Sequence, residues 1–319
     1  MKKTVNDKVR SAPSLAAAAE TRELRRQYTS IERRFLGALM AAPTVIILVL
    51  IILVPLGYSL ALSLYSWRLT QINQPKTFVL FQNYLEILAD PIFWTAIRNT
   101  FAFVIGTVSV ELVLGFLVAL LVTEIVRGRR LANSIILLPM IITPVVVALM
   151  WRYMYDPQFG IINYALKSLG MAKPVGFLSR DNLALPSIML VDIWEMTPFV
   201  ILVLHSGMLT VPEEMMEAAR VDGAAYWQVV RHLVIPYLSP LILLILLLRT
   251  MDTYRVFDVV FVLTKGGPGL ATEVIGMYTY RSSFIFFRMG FGMALAIVTL
   301  MIVLAISLAY LRFLRTREA

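Results

Sequence analysis

The sequence predicts an all-α membrane protein with six transmembrane helices, and its composition, hydropathy and distribution of basic residues support this prediction. Of its 319 residues, 59% are hydrophobic and only 15% are charged, whereas charged residues make up about a quarter of an ordinary soluble domain. Six apolar segments are long enough to cross a bilayer, which takes about 20 helical residues. They lie near 35–66, 97–123, 131–155, 184–210, 238–263 and 289–311.

The first apolar segment follows a charged tail. Residues 1–34 are rich in alanine and charge, with helical spacing over Leu15–Arg34, and we expect them to form a cytoplasmic tail. No charged residue occurs from Phe35 to Trp67, a run longer than a signal-peptide core, so this segment should persist as a helix. The domain prediction is therefore a tail at 1–34, one membrane domain at 35–312 and a short cytoplasmic tail at 313–319.

The basic residues predict the orientation of the spans. With the N-terminus inside, the inner segments carry 17 Lys and Arg and the outer segments carry 7, as the positive-inside rule expects. Both termini are then cytoplasmic. The net charge of +9 reflects this topology and not nucleic-acid binding, which would need basic and aromatic residues interleaved on a soluble face.

One inner segment, the coupling loop at 212–236, has the pattern of two short helices. Pro212 suits a first helical turn, and Asp222 can cap a second helix over 224–234. Gly223 suits the chain reversal between the helices. Ala218 and Ala219 give the first helix a face that another protein can approach closely.

This loop resembles the EAA loop of ABC importer permeases. Glu217, Ala218, Ala219, Gly223 and Pro236 stand at the spacing of that motif, and Leu233 and Ile235 replace its Ile and Leu. Further runs are similar to the carbohydrate-uptake permeases of the maltose and glycerol-phosphate type. They lie at 138–139, 151–160, 197–199, 257–258, 263–268 and 271–272.

The resemblance covers about residues 35–312 and implies a type I importer permease fold with a cytoplasmic EAA coupling helix. It also implies the partners: a second homologous permease, two ABC ATPase subunits that bind ATP and Mg²⁺, an extracytoplasmic solute-binding protein and membrane lipid. The residues that would contact the ATPase are Glu217, Ala218, Ala219, Asp222, Gly223 and Pro236. The resemblance also implies a location in the inner membrane of a bacterium and a cargo that is a sugar, oligosaccharide, glycoside or related polyol.

Charged residues inside the fourth and fifth spans leave three interpretations open. A charge at the centre of a span costs about 2.5–3.5 kcal/mol on insertion scales, so it usually faces protein or water. The charges could form ion pairs that lock helices together, couple transport to protons or ions, or line the translocation path. Arg255 with Asp258 is predicted to be a structural pair.

The resemblance to maltose-type permeases favours the path. When positions are counted from the motif residue Glu217, the sugar-contacting positions of the maltose-type permeases fall on one face of the fourth span and one face of the fifth span of this chain. These candidate path residues are Asp192, Glu195, Met196, Phe199, Arg249, Asp252, Thr253 and Val256. Carboxylates there could accept hydrogen bonds from sugar hydroxyls, and the arginines would tolerate an anionic sugar.

Other functional classes lack their motifs. No Gly-x4-Gly-Lys-Ser/Thr loop occurs, so this chain does not bind ATP in the P-loop manner. There is no cysteine, and His205 and His232 have no partner at metal or triad spacing. We therefore expect no catalytic or metal site and no cofactor in this chain. An ion-coupled secondary transporter is the alternative, ahead of a membrane-embedded enzyme, but no inverted repeat supports it.

Overall fold

The described part of the chain consists of helices and connecting loops, with one pair of two-residue strands. The computed structural model describes residues 15–71, 76–124 and 128–318, and part of the predicted tail, 1–14, lies outside them. Two-residue strands, β1 and β2, pair antiparallel at Tyr65–Ser66 and Thr77–Phe78. The helices are α1 Leu15–Ser63, α2 Gln82–Ala89, α3 Pro91–Glu124, α4 Arg129–Ile141, α5 Pro144–Met154, α6 Ile161–Ser168, α7 Asp181–Met208, α8 Glu213–Val221, α9 Tyr226–Val229, α10 Ile235–Tyr254, α11 Asp258–Leu263, α12 Ile275–Tyr280 and α13 Met289–Glu318.

The chain divides into two compact units after Ser59. The first unit is the N-terminal part of α1, which is continuous from Leu15, so no helix boundary occurs at the predicted tail junction near residue 34. Pro43 and Pro55 both lie inside this helix. At the other end of the chain α13 continues to Glu318, through most of the predicted C-terminal tail.

Within the described residues, five helical segments are long and apolar enough to cross a membrane, at 38–63, 91–124, 181–208, 226–263 and 289–312. The predicted third span is not one straight helix. Its parts α4 and α5 meet at 98°, and counting them as one span gives six. The bend follows from Pro144, which holds Thr143 in an extended conformation with ψ 142°, because the residue before a proline is disfavoured in the helical region.

The second unit has its core where α3, α7 and α10 pack together. Phe103 and Ile188 lie in a cluster of buried residues from α3, α5, α7 and α11. Leu204 and Leu238 lie in another, nearer the coupling loop. Gly115 allows α3 to approach α7 closely, since a Cβ atom there would lie 2.5 Å from Val200 Cγ1.

Two short interruptions shape the fifth span. A π-helical turn at Val230–Val234 joins α9 to α10, and residues 255–257 separate α10 from α11. The fifth span thus begins within the coupling loop, and Asp252 and Asp258 lie on either side of its break at 255–257. A second π-helical turn, Arg281–Ile285, leads from α12 towards α13.

Candidate transport site

The coupling loop forms two helices around a tight reversal. Helix α8 has no buried residue, and Glu213 and Glu214 stand in its first turn, where negative charge complements the helix dipole. Gly223 follows with φ of +77°, a conformation that L-residues with a Cβ adopt reluctantly. The predicted reversal at Gly223 is confirmed.

The capping of the second helix differs from the prediction. Asp222 is the C-cap residue of α8, and its N–H donates to Ala218 O at 3.0 Å. The next helix begins at Tyr226, two residues later than predicted, and the Ala225 N–H donates to Gln228 Oε1 at 2.8 Å. The prediction that Asp222 caps a helix over 224–234 is therefore wrong, because the Gln228 side chain takes that role.

The predicted ATPase-contacting residues lie on an accessible surface. Glu217 and Ala218 are exposed, and Ala219 is half-buried. Glu217 lines a cavity of about 500 Å³, the coupling-loop cavity. Glu124 at the end of α3 and Met208 at the end of α7 also line it. Pro236 is exposed in the first turn of α10. The loop thus presents a carboxylate and small side chains on one face of the helix bundle.

The charged residues of the spans meet in a buried cluster around Arg249, which is 3% exposed. Its Nε and Nη2 donate to the two carboxylate oxygens of Glu111, each at 2.8 Å. Nη2 also donates to Asp192 Oδ2, and Nη1 donates to Asp252 Oδ2, again at 2.8 Å. This three-helix ion cluster, Arg249 with Glu111, Asp192 and Asp252, connects α3, α7 and α10.

Most of the candidate path residues border one open cavity between α7 and the α10–α11 break. This path cavity measures about 340 Å³. Six of the eight candidates line it, namely Asp192, Glu195, Met196, Asp252, Thr253 and Val256.

The other two candidates lie elsewhere. Arg249 belongs to the ion cluster behind the cavity wall, and Phe199 packs with the core near Leu204. Phe199 is three residues beyond Met196, about 4.5 Å further along α7 at 1.5 Å per residue, and it does not line the cavity.

Sequence reasoning missed several residues of this region. Glu111, 138 residues from Arg249 in sequence, accepts two hydrogen bonds from the arginine. Its position in an apolar span is the sequence signal that could have identified it as the partner of a buried charge. Phe257 also lines the cavity. Arg255 and Asp258 line it too but make no ion pair with each other, since Arg255 Nε donates to Met251 O at 3.2 Å. The predicted Arg255–Asp258 pair is wrong.

The loop after α11, which contains the run at 263–268, is held by polar contacts. Thr264 and Thr272 share a hydroxyl hydrogen bond of 2.7 Å. Glu273, fully buried, lies 2.8 Å from Arg281 Nη2, although the contact lacks hydrogen-bond geometry. Burial raises the pKa of the Glu273 carboxyl to about 7, with Arg281 acting in the opposite direction.

No group of three His, Asp or Glu side chains in residues 15–71, 76–124 and 128–318 is arranged to hold a metal ion.

A comparison with family models decides the class of protein. Residues 111–317 match the model described as binding-protein-dependent transport system inner membrane component. The chain belongs to this family. It is the permease subunit of an ABC importer, an inner membrane component and not an enzyme, and the type I permease fold is confirmed.

Individual relatives cover most of this permease. A probable ABC transporter permease of Sinorhizobium fredii is 38% identical over 83% of this chain and 85% of its own length. The trehalose/maltose transport system permease protein of Thermococcus litoralis is 34% identical over 89% of this chain and 95% of its own. A solved bacterial ABC transporter involved in importing the acidic polysaccharide alginate matches with a TM-score of 0.78 and 25% identity, covering 91% of this chain and 99% of that one.

Proposed function

We propose that this permease imports a carbohydrate or related polyol through the path cavity, powered by ATPase partners that act on the coupling loop. The observation that carries the proposal is the path cavity itself, a membrane-level space of about 340 Å³ lined by carboxylates, a threonine and an aromatic ring. Carboxylates accept hydrogen bonds from hydroxyls, and an aromatic face suits the C–H surface of a sugar ring. The trehalose/maltose relative supports the same cargo class.

The assembly that we propose contains this chain, a second homologous permease, two ATPases that bind ATP and Mg²⁺, and an extracytoplasmic binding protein. Both termini and the coupling loop face the cytoplasm, which the excess of 17 inner over 7 outer basic residues supports. Closure of the ATPases moves α8, and this movement is passed through α9 and α10 to the path cavity.

The cargo is tested by reconstituting the complete complex with its binding protein in proteoliposomes. A panel of mono- and disaccharides is screened for ATP-dependent uptake and for stimulated ATP hydrolysis. We expect at least one carbohydrate to stimulate both activities. If none does, the carbohydrate assignment fails.

The same vesicles discriminate between the importer and the alternative, an ion-coupled transporter. Uptake by the importer persists when the proton and sodium gradients are collapsed at constant ATP. Gradient-driven uptake by this chain without ATPases would favour the alternative.

The role of the coupling loop is tested by Glu217→Lys. Glu217 is exposed and bordered by the coupling-loop cavity, so the reversal should leave the fold intact. In our proposal Glu217 meets a basic residue of the ATPase, and placing like charges together at an interface costs several kcal/mol. At about 1.4 kcal/mol per tenfold, the affinity for the ATPase should fall at least tenfold.

Copurification of the ATPase and substrate-stimulated hydrolysis are the two measurements. Lys167→Glu, a charge reversal at an exposed position of α6, is the control and should retain both. Wild-type assembly and uptake in the Glu217→Lys complex would contradict the proposed contact.

A further inference from the structure

The path cavity has more negative than positive side chains around it. Its wall carries four carboxyl groups and a single guanidinium, that of Arg255. The other nearby cation, Arg249, is withdrawn into the ion cluster, where Glu111, Asp192 and Asp252 accept all of its described hydrogen bonds. Counting the cluster and the wall together gives five carboxyl groups against two guanidinium groups. A ligand in this cavity therefore meets an excess of formal negative charge.

Glu195 has unused capacity to bind a ligand. Its residue is 1% exposed, its Oε1 has no hydrogen-bond partner, and it makes no ion pair in the described part of the chain. Thr253 Oγ1, on the opposite wall, is also buried without a partner. A buried polar atom without a partner costs free energy that a ligand can recover by bonding to it. The Glu195 oxygen therefore favours a ligand that brings a hydrogen-bond donor, while the Thr253 hydroxyl can bond to a donor or an acceptor.

We propose, on the basis of the carbohydrate import proposed above, that Glu195 determines substrate specificity. Its carboxylate accepts hydrogen bonds from a hydroxyl or ammonium group of the sugar. The permease therefore passes neutral or amine-bearing sugars and rejects sugars that carry a carboxylate, sulfonate or phosphate. A carboxylate accepts hydrogen bonds from such donors, and it repels a second anion placed beside it.

The remaining wall residues are compatible with this selection. Arg255 is exposed at the cavity and its Nε donates to Met251 O, so a single cation opposes Glu195 and Asp258. Phe257, held by stacking on Phe261 at 5.3 Å between ring centroids, offers an apolar face. The wall thus combines hydrogen-bond acceptors with a ring, and neither feature attracts an anion.

The test uses the assembled complex without its binding protein, so that only the permease selects. Three probes are compared at millimolar concentration by thermal shift in nanodiscs: trehalose, the disaccharide of glucosamine and a glucuronate-containing disaccharide. A ligand that binds the folded state raises its melting temperature. We expect the first two to raise it and the glucuronate to leave it unchanged.

Glu195→Gln tests the residue itself. The amide keeps the shape but loses the charge, so apparent affinity for the glucosamine disaccharide should fall at least tenfold and discrimination against the glucuronate should fall at least tenfold. Glu111→Gln is the matched control, because Glu111 is a buried glutamate of the neighbouring ion cluster and does not line the cavity. It should lower the melting temperature without changing the order of the three sugars.

The outcomes separate this inference from the function on which it rests. Equal or tighter binding of the glucuronate by the wild type, or an unchanged order in Glu195→Gln, would overturn the inference. If the uptake screen instead identifies an anionic sugar as cargo, carbohydrate import stands and the inference fails. If no sugar of any charge binds or is taken up, both fail.

Discussion

Replacing Arg249 with methionine is the most direct test of whether the three-helix ion cluster holds the bundle together. The substitution keeps an unbranched side chain and removes the guanidinium that bonds Glu111, Asp192 and Asp252. Glu111 is fully buried, so its carboxylate is left without a counter-charge. We expect the variant to be destabilised more than any single substitution on the cavity wall.

The magnitude follows from the burial of each pair. Breaking a buried ion pair by removing one partner costs about 3–5 kcal/mol, and the Arg249–Glu111 pair is 3% and 0% exposed. The bond to Asp252 adds little, since that side chain is 60% exposed and such pairs contribute about 0.2–1 kcal/mol. With roughly 2–4 °C per kcal/mol in domains of comparable size, the melting temperature should fall by on the order of 10 °C.

The assay is thermal melting of the purified complex, with Asp252→Asn as the control that should shift little. A compensating variant makes the test sharper. Glu111→Met combined with Arg249→Met removes the most buried charge as well, and apolar replacement of a buried ion pair is often neutral or stabilising, so much of the loss should be recovered. An unchanged melting temperature in Arg249→Met, with only the response to sugar altered, would refute the structural role of the cluster.

Two further predictions concern the coupling loop and the loop after α11. Gly223→Val should destabilise the coupling loop by about 1–2 kcal/mol, because the φ of +77° is unfavourable for a residue with a Cβ. Gly223→Asn should be tolerated better. Hydrogen exchange of residues 213–229 measures the effect of both substitutions. Burial raises the pKa of Glu273 from 4.5 to about 7, so its contribution to stability is present at pH 4 and is lost as the pH rises through 7. The melting temperature should therefore decrease from pH 5 to 8, and Glu273→Gln should flatten this dependence; an equal slope in both proteins would contradict the argument.

Hydropathy was enough to locate the spans but not the bend in the third one. The positions of α3, α7 and α13 follow from their high mean hydropathy, although charged residues lie within α3 and α7. The segment around Pro144 also passes the hydropathy criterion for a span, but the chain turns by 98° between α4 and α5, where Thr143 is extended before the proline. A count of apolar residues does not register that effect, although Thr143-Pro144 was visible in the sequence.

The coupling loop was predictable because its determinants are local, whereas the partners of the charged residues are distant in sequence. Gly223 and its neighbours specify a reversal within a few residues. Arg249 pairs with Asp252, three residues away on the same helix, but its most buried partner is Glu111 on α3. Only the packing of α3 against α7 and α10 brings the two together.

The same packing places acidic residues that look alike in the sequence, Glu111 and Glu195, in different environments. Glu111 lies wholly inside the ion cluster, while Glu195 lies on the cavity wall with an unpaired oxygen. Asp192 belongs to both, since it accepts a hydrogen bond from Arg249 and its side chain remains 11% exposed where it borders the cavity. A ligand that donates a hydrogen bond to Asp192 therefore competes with Arg249 for the same carboxylate. Substrate that binds Asp192 would in this way weaken the Arg249–Asp192 contact between α7 and α10, the two helices that flank the coupling loop.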